Sequence, residues 1–275
     1  MSIKPARTRI APSPTGHMHL GTARTALYAY LLAKKTGGQF ILRVEDTDVS
    51  RTVPGSEQEI IDGLHWLGLN YDEGPDIGGP YGPYRQTDRR EIYHVHANTL
   101  VTSGHAYPCF CTPERLELVR QEQQKRKENP HYDGTCRMIA PEDAADRVAN
   151  GEKHIIRFKM PREGATIAHD HLRGDIKTEN SQLNDYVLLK TDGLPTYHLA
   201  AMVDDHEMGI THVVRSSEWL GTFPLHVNIV RAFGWEEPIW IHLSVFLKPS
   251  GKGKMSKRDA ADAIKDGHSI FVKDL

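Results

Sequence analysis

The stretch Arg9-Ile-Ala-Pro-Ser-Pro-Thr-Gly-His-Met-His-Leu-Gly21 decides how the chain is read. Thr8 to Ala11 is apolar enough for a short buried strand. Pro12, Pro14 and Gly16 then make an irregular turn that continues neither strand nor helix. From Leu20 the apolar period changes, with Leu20, Ala23, Leu27, Tyr30 and Leu31 on one helical face. The result is strand, tight loop, helix. A loop of this kind, feeding a helix N-terminus at the carboxyl end of a parallel strand, is where α/β proteins hold anions. An ordinary strand–helix turn has the same punctuation. The imidazoles of His17 and His19 and the hydroxyls of Ser13 and Thr15 weigh toward a ligand loop.

The rest of the chain repeats the pattern. A glycine stop at Gly37-Gly38 ends the first helix, and Gln39 to Val44 reads as the second strand. It runs into Glu45-Asp46-Thr47-Asp48, either a solvated acidic turn or three acids gathered for a cationic partner. Ser56 and Glu59 have the spacing of a capping box for a helix over Ile60, Ile61, Leu64 and Leu67. A turn-rich loop spans 71–83, and a further helix runs from about Asp88 to Ser103. From Gly151 to Ser181 short β-like runs are divided by Pro, Gly and acidic turns, as in an antiparallel insertion. A strand at 185–190 and an apolar segment at 195–203 follow. Val213-Val214-Arg215 reads as a buried strand, Thr222 to Phe233 as a helix and Ile239 to Val245 as the last strand. A glycine-spaced basic loop, Lys248 to Arg258, comes after it. βα units, an insertion, then more βα units imply a doubly wound parallel, Rossmann-like α/β sheet split by an inserted α+β domain. The expected halves are 1–105 and 189–275, with 106–188 inserted.

Composition narrows the setting. The chain has 275 residues, a net charge of −2 and three cysteines. The apolar runs are too short to span a bilayer, and no signal-peptide pattern opens the chain. An odd number of cysteines makes no disulfide framework, so a reducing cytoplasm is expected. Cys109, Cys111 and Cys136 are close enough in sequence to share a zinc ion, with His131 the nearest candidate for a fourth ligand. Three inert thiols fit the same spacing.

The carboxyl ends of the predicted strands carry Arg9 with the first loop, Glu45, Tyr197, Arg215 with Trp219, and the basic loop. Lysines on a glycine-spaced loop suit polyphosphate, whose charge they can follow onto a leaving group. Arg9 and Arg215 suit carboxylates, and Glu45 suits an α-ammonium. Taken together these groups describe a site for ATP and an acidic amino acid.

At these residues the chain resembles the class I aminoacyl-tRNA synthetases, and closely the catalytic core of the glutamyl-tRNA synthetases. His19-Leu-Gly-Thr22 is similar to the class signature HIGH, and Lys254-Met-Ser-Lys-Arg258 to KMSKS. Arg9 to Gly16, Arg43 to Asp48, Pro195 to Tyr197, Val203 to Asp205 and Arg215 to Trp219 resemble family segments in family order. The resemblance implies that Arg9, Ser13, Glu45, Tyr197, Arg215 and Trp219 hold glutamate. It implies that His19, Gly21, Glu218, Lys254, Ser256 and Lys257 handle ATP, with His19, Lys254 and Lys257 catalytic. It also implies Mg²⁺, tRNA-Glu as partner, and a monomer. Cys109, Cys111 and Cys136 match zinc positions, but the family's fourth ligand, a histidine, is Met138 here. The implied chemistry is attack of the glutamate carboxylate on the α-phosphorus of ATP, then transfer to the tRNA 3′ end. Two other readings share the core: a glutamyl-queuosine tRNA-Asp synthetase, and a non-catalytic tRNA-binding module. Because the resemblance lacks the helical anticodon-reading part, a piece of a longer synthetase is expected.

Overall fold

The computed structural model describes residues 4–248, 253 and 270–274. Strand β1 (Arg7–Ile10) leads through the proline loop into helix α1 (Leu20–Thr36) and strand β2 (Gln39–Leu42), which pairs in parallel with β1. Gly37, left-handed at φ 69°, closes α1. At Gly38 a Cβ would lie 2.0 Å from the Ala6 carbonyl oxygen, so this crossing needs glycine. The face of α1 turned to the sheet is Ala23, Ala26, Ala29 and Ala33, whereas Leu27 and Leu31 are exposed. Of the expected face, Ala23 is buried and Leu20 and Tyr30 pack against the core, and only Leu27 and Leu31 are corrected. Small residues let the helix sit close on strands whose own Phe40 and Leu42 supply the bulk.

Helix α2 (Ser56–Trp66) begins after a left-handed Gly55. No capping box forms, because Ser56 donates its hydroxyl to the carbonyls of Pro14 and Val53 and so ties the helix to the first loop. Helix α3 (Arg90–Thr102) leads into strand β3 (Ala106–Cys109). Then come α4 (Pro113–Lys125), α5 (Pro141–Ala149), β4 (Ile155–Phe158), the hairpin β5 (Ala165–Asp170) and β6 (Gly174–Glu179), and β7 (Val187–Leu189). These are followed by α6 (Tyr197–Glu207), β8 (His212–Ser216), α7 (Phe223–Ala232) and β9 (Ile239–Leu243). The segment 195–203 is therefore mostly helix. Val203, Asp204 and Asp205 lie on its buried side.

Strands β3, β4 and β7 form an antiparallel sheet. Strands β8 and β9 run parallel, and β1 lies alongside β8, joined by the Thr211 N–H to the Arg7 carbonyl at 2.9 Å. The hairpin β5–β6 does not stay with the antiparallel sheet. Its first strand meets β9 in parallel at Asp170 and Trp240 and extends the sheet of β8 and β9. Alternation along the parallel strands covers both faces. Ile41 and Val213 join one apolar core with α3, α6 and α7, and Phe40, Leu42 and Val214 join the other with α1 and α2. That two-sided burial is the doubly wound arrangement.

A buried ionic cluster joins these layers. Asp205 accepts from Arg9 Nε at 2.9 Å and Nη2 at 3.1 Å, and from Arg43 Nη1 at 2.7 Å. Asp204 accepts from Arg89 Nε at 2.7 Å, Gln86 Nε2 at 2.8 Å and the Tyr93 hydroxyl at 2.8 Å. Burial alone would raise the Asp205 carboxyl, but Arg9 and Arg43 outweigh it and hold the group below the ordinary value of 3.8. Removing one partner of a buried pair strands the others, so Asp205→Asn is expected to lower unfolding stability by about 3–5 kcal/mol. Urea unfolding checks this. A folded-state pKa below the unfolded one gives stability that is present above pH 3.8 and lost as pH falls through the depressed value. Asp205→Asn should remove that acid limb.

Candidate active site

The loop after β1 ends in His19, which is the N-cap of α1. Its Nδ1 accepts the Gly21 N–H at 2.9 Å, which leaves the ring proton on Nε2. A Cβ on Gly21 would press on that nitrogen at 3.1 Å, so the cap favours glycine there. The N-terminus of α1 then faces a cavity of about 350 Å³. Arg9, Ser13, His19, Gly21, Glu45, Tyr197, Arg215, Glu218 and Trp219 all line it. Residues from four separated segments thus meet at one place, at the carboxyl ends of β1, β2 and β8. Lys254, Ser256 and Lys257 lie outside the described residues.

The two arginines differ in kind. Arg9 has its fork committed to Asp205, with Nη1 on the Val214 carbonyl at 3.3 Å. Arg215 is 4% exposed and meets two imidazoles instead: Nε donates to His242 Nε2 and Nη1 to His226 Nδ1, each at 2.9 Å. Its Nη2 has no hydrogen-bond partner among the described residues. Burial above all pulls this guanidinium below its usual range. A buried cation without a carboxylate against it is a site for an anion.

Glu45 is the reverse case. It takes one bond from Arg43 Nη2 at 3.1 Å and is otherwise buried. Burial raises its pKa to about 7 despite Arg43 and Arg9 nearby. A carboxylate so desolvated is ready for an ammonium ligand. The neighbouring acids do not join it. Asp46 accepts from the Thr87 amide and hydroxyl, and Asp48 accepts from Ser50. His17 also turns away from the cavity, to Glu59. Tyr197 and Trp219 stack at 4.0 Å and form a flat wall. Behind it a second cavity of about 610 Å³ is lined by Arg120, Arg157, Tyr186 and His198 among others.

Sequence reading missed several of these groups. Arg24 lines the cavity one turn after His19, donates to the Ser244 carbonyl and lies over Phe246. Its place in the second turn of a cavity-facing helix was the available signal. His226, His242 and Asp170 carry no motif.

The cysteines come together. Their sulfurs lie within 4.8 Å of one another, with Cys111 and Cys136 at 3.5 Å. Met138 is 84% exposed, and His131 is turned to Gln123 and the Asn129 carbonyl, so neither completes the set. The Tyr132 hydroxyl does approach, 3.4 Å from Cys109 Sγ and 3.5 Å from Cys111 Sγ. Arg157 and Arg115 donate to Cys109 and Cys111 at 3.3 and 3.4 Å. Three sulfurs and one phenol oxygen, with cationic donors behind them, fit a tetrahedral divalent metal.

Comparison with known proteins bears on this site. Residues 5–269 match the family described as tRNA synthetases class I (E and Q), catalytic domain. The glutamate–tRNA ligase of Ectopseudomonas mendocina is 52% identical over 258 residues, which are 94% of this chain and 52% of that protein. That of Rhizobium etli is 50% identical over 264 residues, 96% of this chain and 54% of the relative. The chain spans about half the length of the curated relatives it matches. A crystal structure of a glutamate tRNA ligase from Elizabethkingia meningosepticum in complex with its amino acid superposes with a TM-score of 0.91 at 46% identity. It covers 98% of this chain and 54% of that one. A tyrosyl-tRNA synthetase from Archaeoglobus fulgidus, 13% identical with a TM-score of 0.51, shares the fold over 99% of this chain and 63% of its own.

The raised pKa of Glu45 has a consequence for the ligand-free protein. A folded-state value near 7 against an ordinary 4.5 means that stability is full below pH 4.5 and falls as pH rises through about 7. Glu45→Gln should flatten the melting temperature over that window. A side-chain carboxyl titration by NMR should give a Glu45 midpoint near 7.

Proposed function

The chain belongs to the class I tRNA synthetases of the glutamate and glutamine type, and on that premise we propose that it activates L-glutamate with ATP and passes it to tRNA-Glu. The observation that carries the reading is Arg215, a buried guanidinium with no carboxylate hydrogen-bonded to it among the described residues, at the end of a cavity that also receives the N-terminus of α1. The glutamate side-chain carboxylate would meet Arg215, and its α-ammonium would meet Glu45. Tyr197 and Trp219 would bound the aliphatic part.

The reacting carboxylate then faces the α-phosphate of ATP in line. The protein supplies no nucleophile, and its contribution is position and charge. His19 donates from Nε2, and α1, whose Gly21 and Thr22 N–H groups are taken by His19 itself, offers the phosphate oxygens the positive end of its dipole. Arg24 adds a cation on the same side. Lys254 and Lys257 are assigned to the departing pyrophosphate, with Ser256 and Glu218 on the nucleotide. Mg²⁺, bound together with the nucleotide, would supply charge neutralisation. Discrimination against glutamine follows from Arg215, against which a neutral amide is imperfectly paired.

Residues 106–188 are assigned as the insertion that receives the acceptor end of the tRNA. The cavity behind Tyr197 and Trp219, with Arg120 and Arg157 on its wall, supports this. Cys109, Cys111, Cys136 and Tyr132 are assigned to one zinc ion that would hold β3 to the 132–138 turn. No helix among the described residues is long and apolar enough to cross a membrane. We place the protein in the cytoplasm as a monomer.

Pyrophosphate exchange that depends on L-glutamate, with tRNA-Glu present, tests the reading. Arg215→Gln is expected to cost at least about 2 kcal/mol in glutamate kcat/KM, the range of a charge-assisted contact, and little for glutamine. Equal losses for both amino acids would reduce Arg215 to a structural role. Elemental analysis of the purified protein should find about one equivalent of zinc, and Tyr132→Phe should weaken its retention against a chelator.

A further inference from the structure

Arg215 is held in place without being neutralised. A guanidinium offers only donors, so each imidazole nitrogen that faces it is the unprotonated one. His242 accepts through Nε2 and therefore carries its proton on Nδ1, which donates to Asp170 Oδ2 at 2.8 Å. His226 accepts through Nδ1 and carries its proton on Nε2, which donates to His198 Nδ1 at 3.0 Å. His198 is then protonated on its other nitrogen. These tautomers follow from the donors, and all three rings are neutral.

The chain of bonds has a fixed end. Asp170 is fully buried at the carboxyl end of β5 and accepts the backbone N–H groups of His242, Leu172 and Arg173 at 3.0, 3.1 and 2.9 Å. His226 and His242 are both completely buried. Burial first, and then the charge of Arg215, lowers His242 and His198 to about 4 and His226 well below its ordinary value. The contrast lies in the same cavity. Arg9 is fixed by the carboxylate of Asp205, which it shares with Arg43.

We infer that His226 and His242 are positioning residues that set the selectivity of the site: as neutral acceptors they orient Arg215 and leave its charge for the substrate's side-chain carboxylate. This rests on the glutamate reading above and assigns to these two histidines a role in it. An acidic residue in either place would orient the guanidinium equally well but satisfy it internally. The preference for an acid over its amide therefore depends on what stands behind Arg215.

Two substitutions of one shape separate charge from structure. His226→Asn places an amide oxygen where Nδ1 accepts from Arg215, and His226→Asp places a carboxylate oxygen there. Calorimetric binding of L-glutamate and L-glutamine is measured for the native protein and both variants. The native protein should prefer glutamate, and His226→Asn should keep that preference to within about fivefold. His226→Asp should lose about 30-fold or more of it, the equivalent of one charge-assisted hydrogen bond. Equal preferences in the two variants would overturn the inference and leave the glutamate reading standing. A native protein that binds neither amino acid would overturn both. A second measurement needs no variant: nitrogen-15 shifts of the ring nitrogens at pH 6.5 should show His242 protonated only on Nδ1 and His226 only on Nε2. An imidazolium signature at either histidine would overturn the inference.

Discussion

Two adjacent carboxylates on α6, Asp204 and Asp205, fix where the other elements sit. They receive Arg9 from β1, Arg43 from just beyond β2, and Arg89 from the turn before α3. Taking these charges out of water is expensive, and the cost is offset only when every partner is in place. The cluster therefore discriminates against any packing that shifts β1, β2 or α6 relative to the others. The apolar cores on either face supply most of the driving force but are less demanding about register. The ionic cluster sits directly beneath the cavity, so the floor of the site and the junction of the layers are one structure.

The fold was legible where backbone chemistry is local. The proline loop, the glycine stop at 37–38 and the alternation from helix to strand all lie within a few residues of the feature they specify. Reading failed where packing across the sheet decided the outcome. The apolar period puts Leu27 and Leu31 on the buried face of α1 beside Ala23, yet alanines fill that face because the strands are bulky there. Ser56 had capping spacing, but the carbonyl of Pro14, 42 residues away, took its hydroxyl. The hairpin β5–β6 looked like part of an antiparallel insertion, and no local signal marks its attachment to β9.

The site divides in the same way. Arg9, Ser13, Glu45, Tyr197, Arg215 and Trp219 lie at strand ends or at the start of the helix or turn beyond, and a parallel sheet gathers those points on one side. Position in the chain thus carried information about position in space. His226, His242 and Asp170 lie beneath a functional residue, not at its exposed end, and their partners are 11 to 72 residues away. Tyr132 was hidden for another reason. Zinc spacing in a sequence points to cysteine and histidine, and His131 stands beside the phenol that the fold brings to the sulfurs.

The attachment of β5 to β9 has a mechanical meaning. Asp170 closes a strand that the chain reaches only after passing through the antiparallel sheet, yet its carboxylate anchors His242 and through it Arg215. The hairpin and the cavity lined by Arg215 therefore share one rigid joint. Force applied to the hairpin is transmitted to the Arg215 guanidinium. Linkage is reciprocal, so an anion that tightens Arg215 also stiffens the hairpin by the same free energy. The hydrogen bonds between Asp170 and His242, inside the sheet, make anion binding at Arg215 and the posture of the hairpin two readings of a single equilibrium.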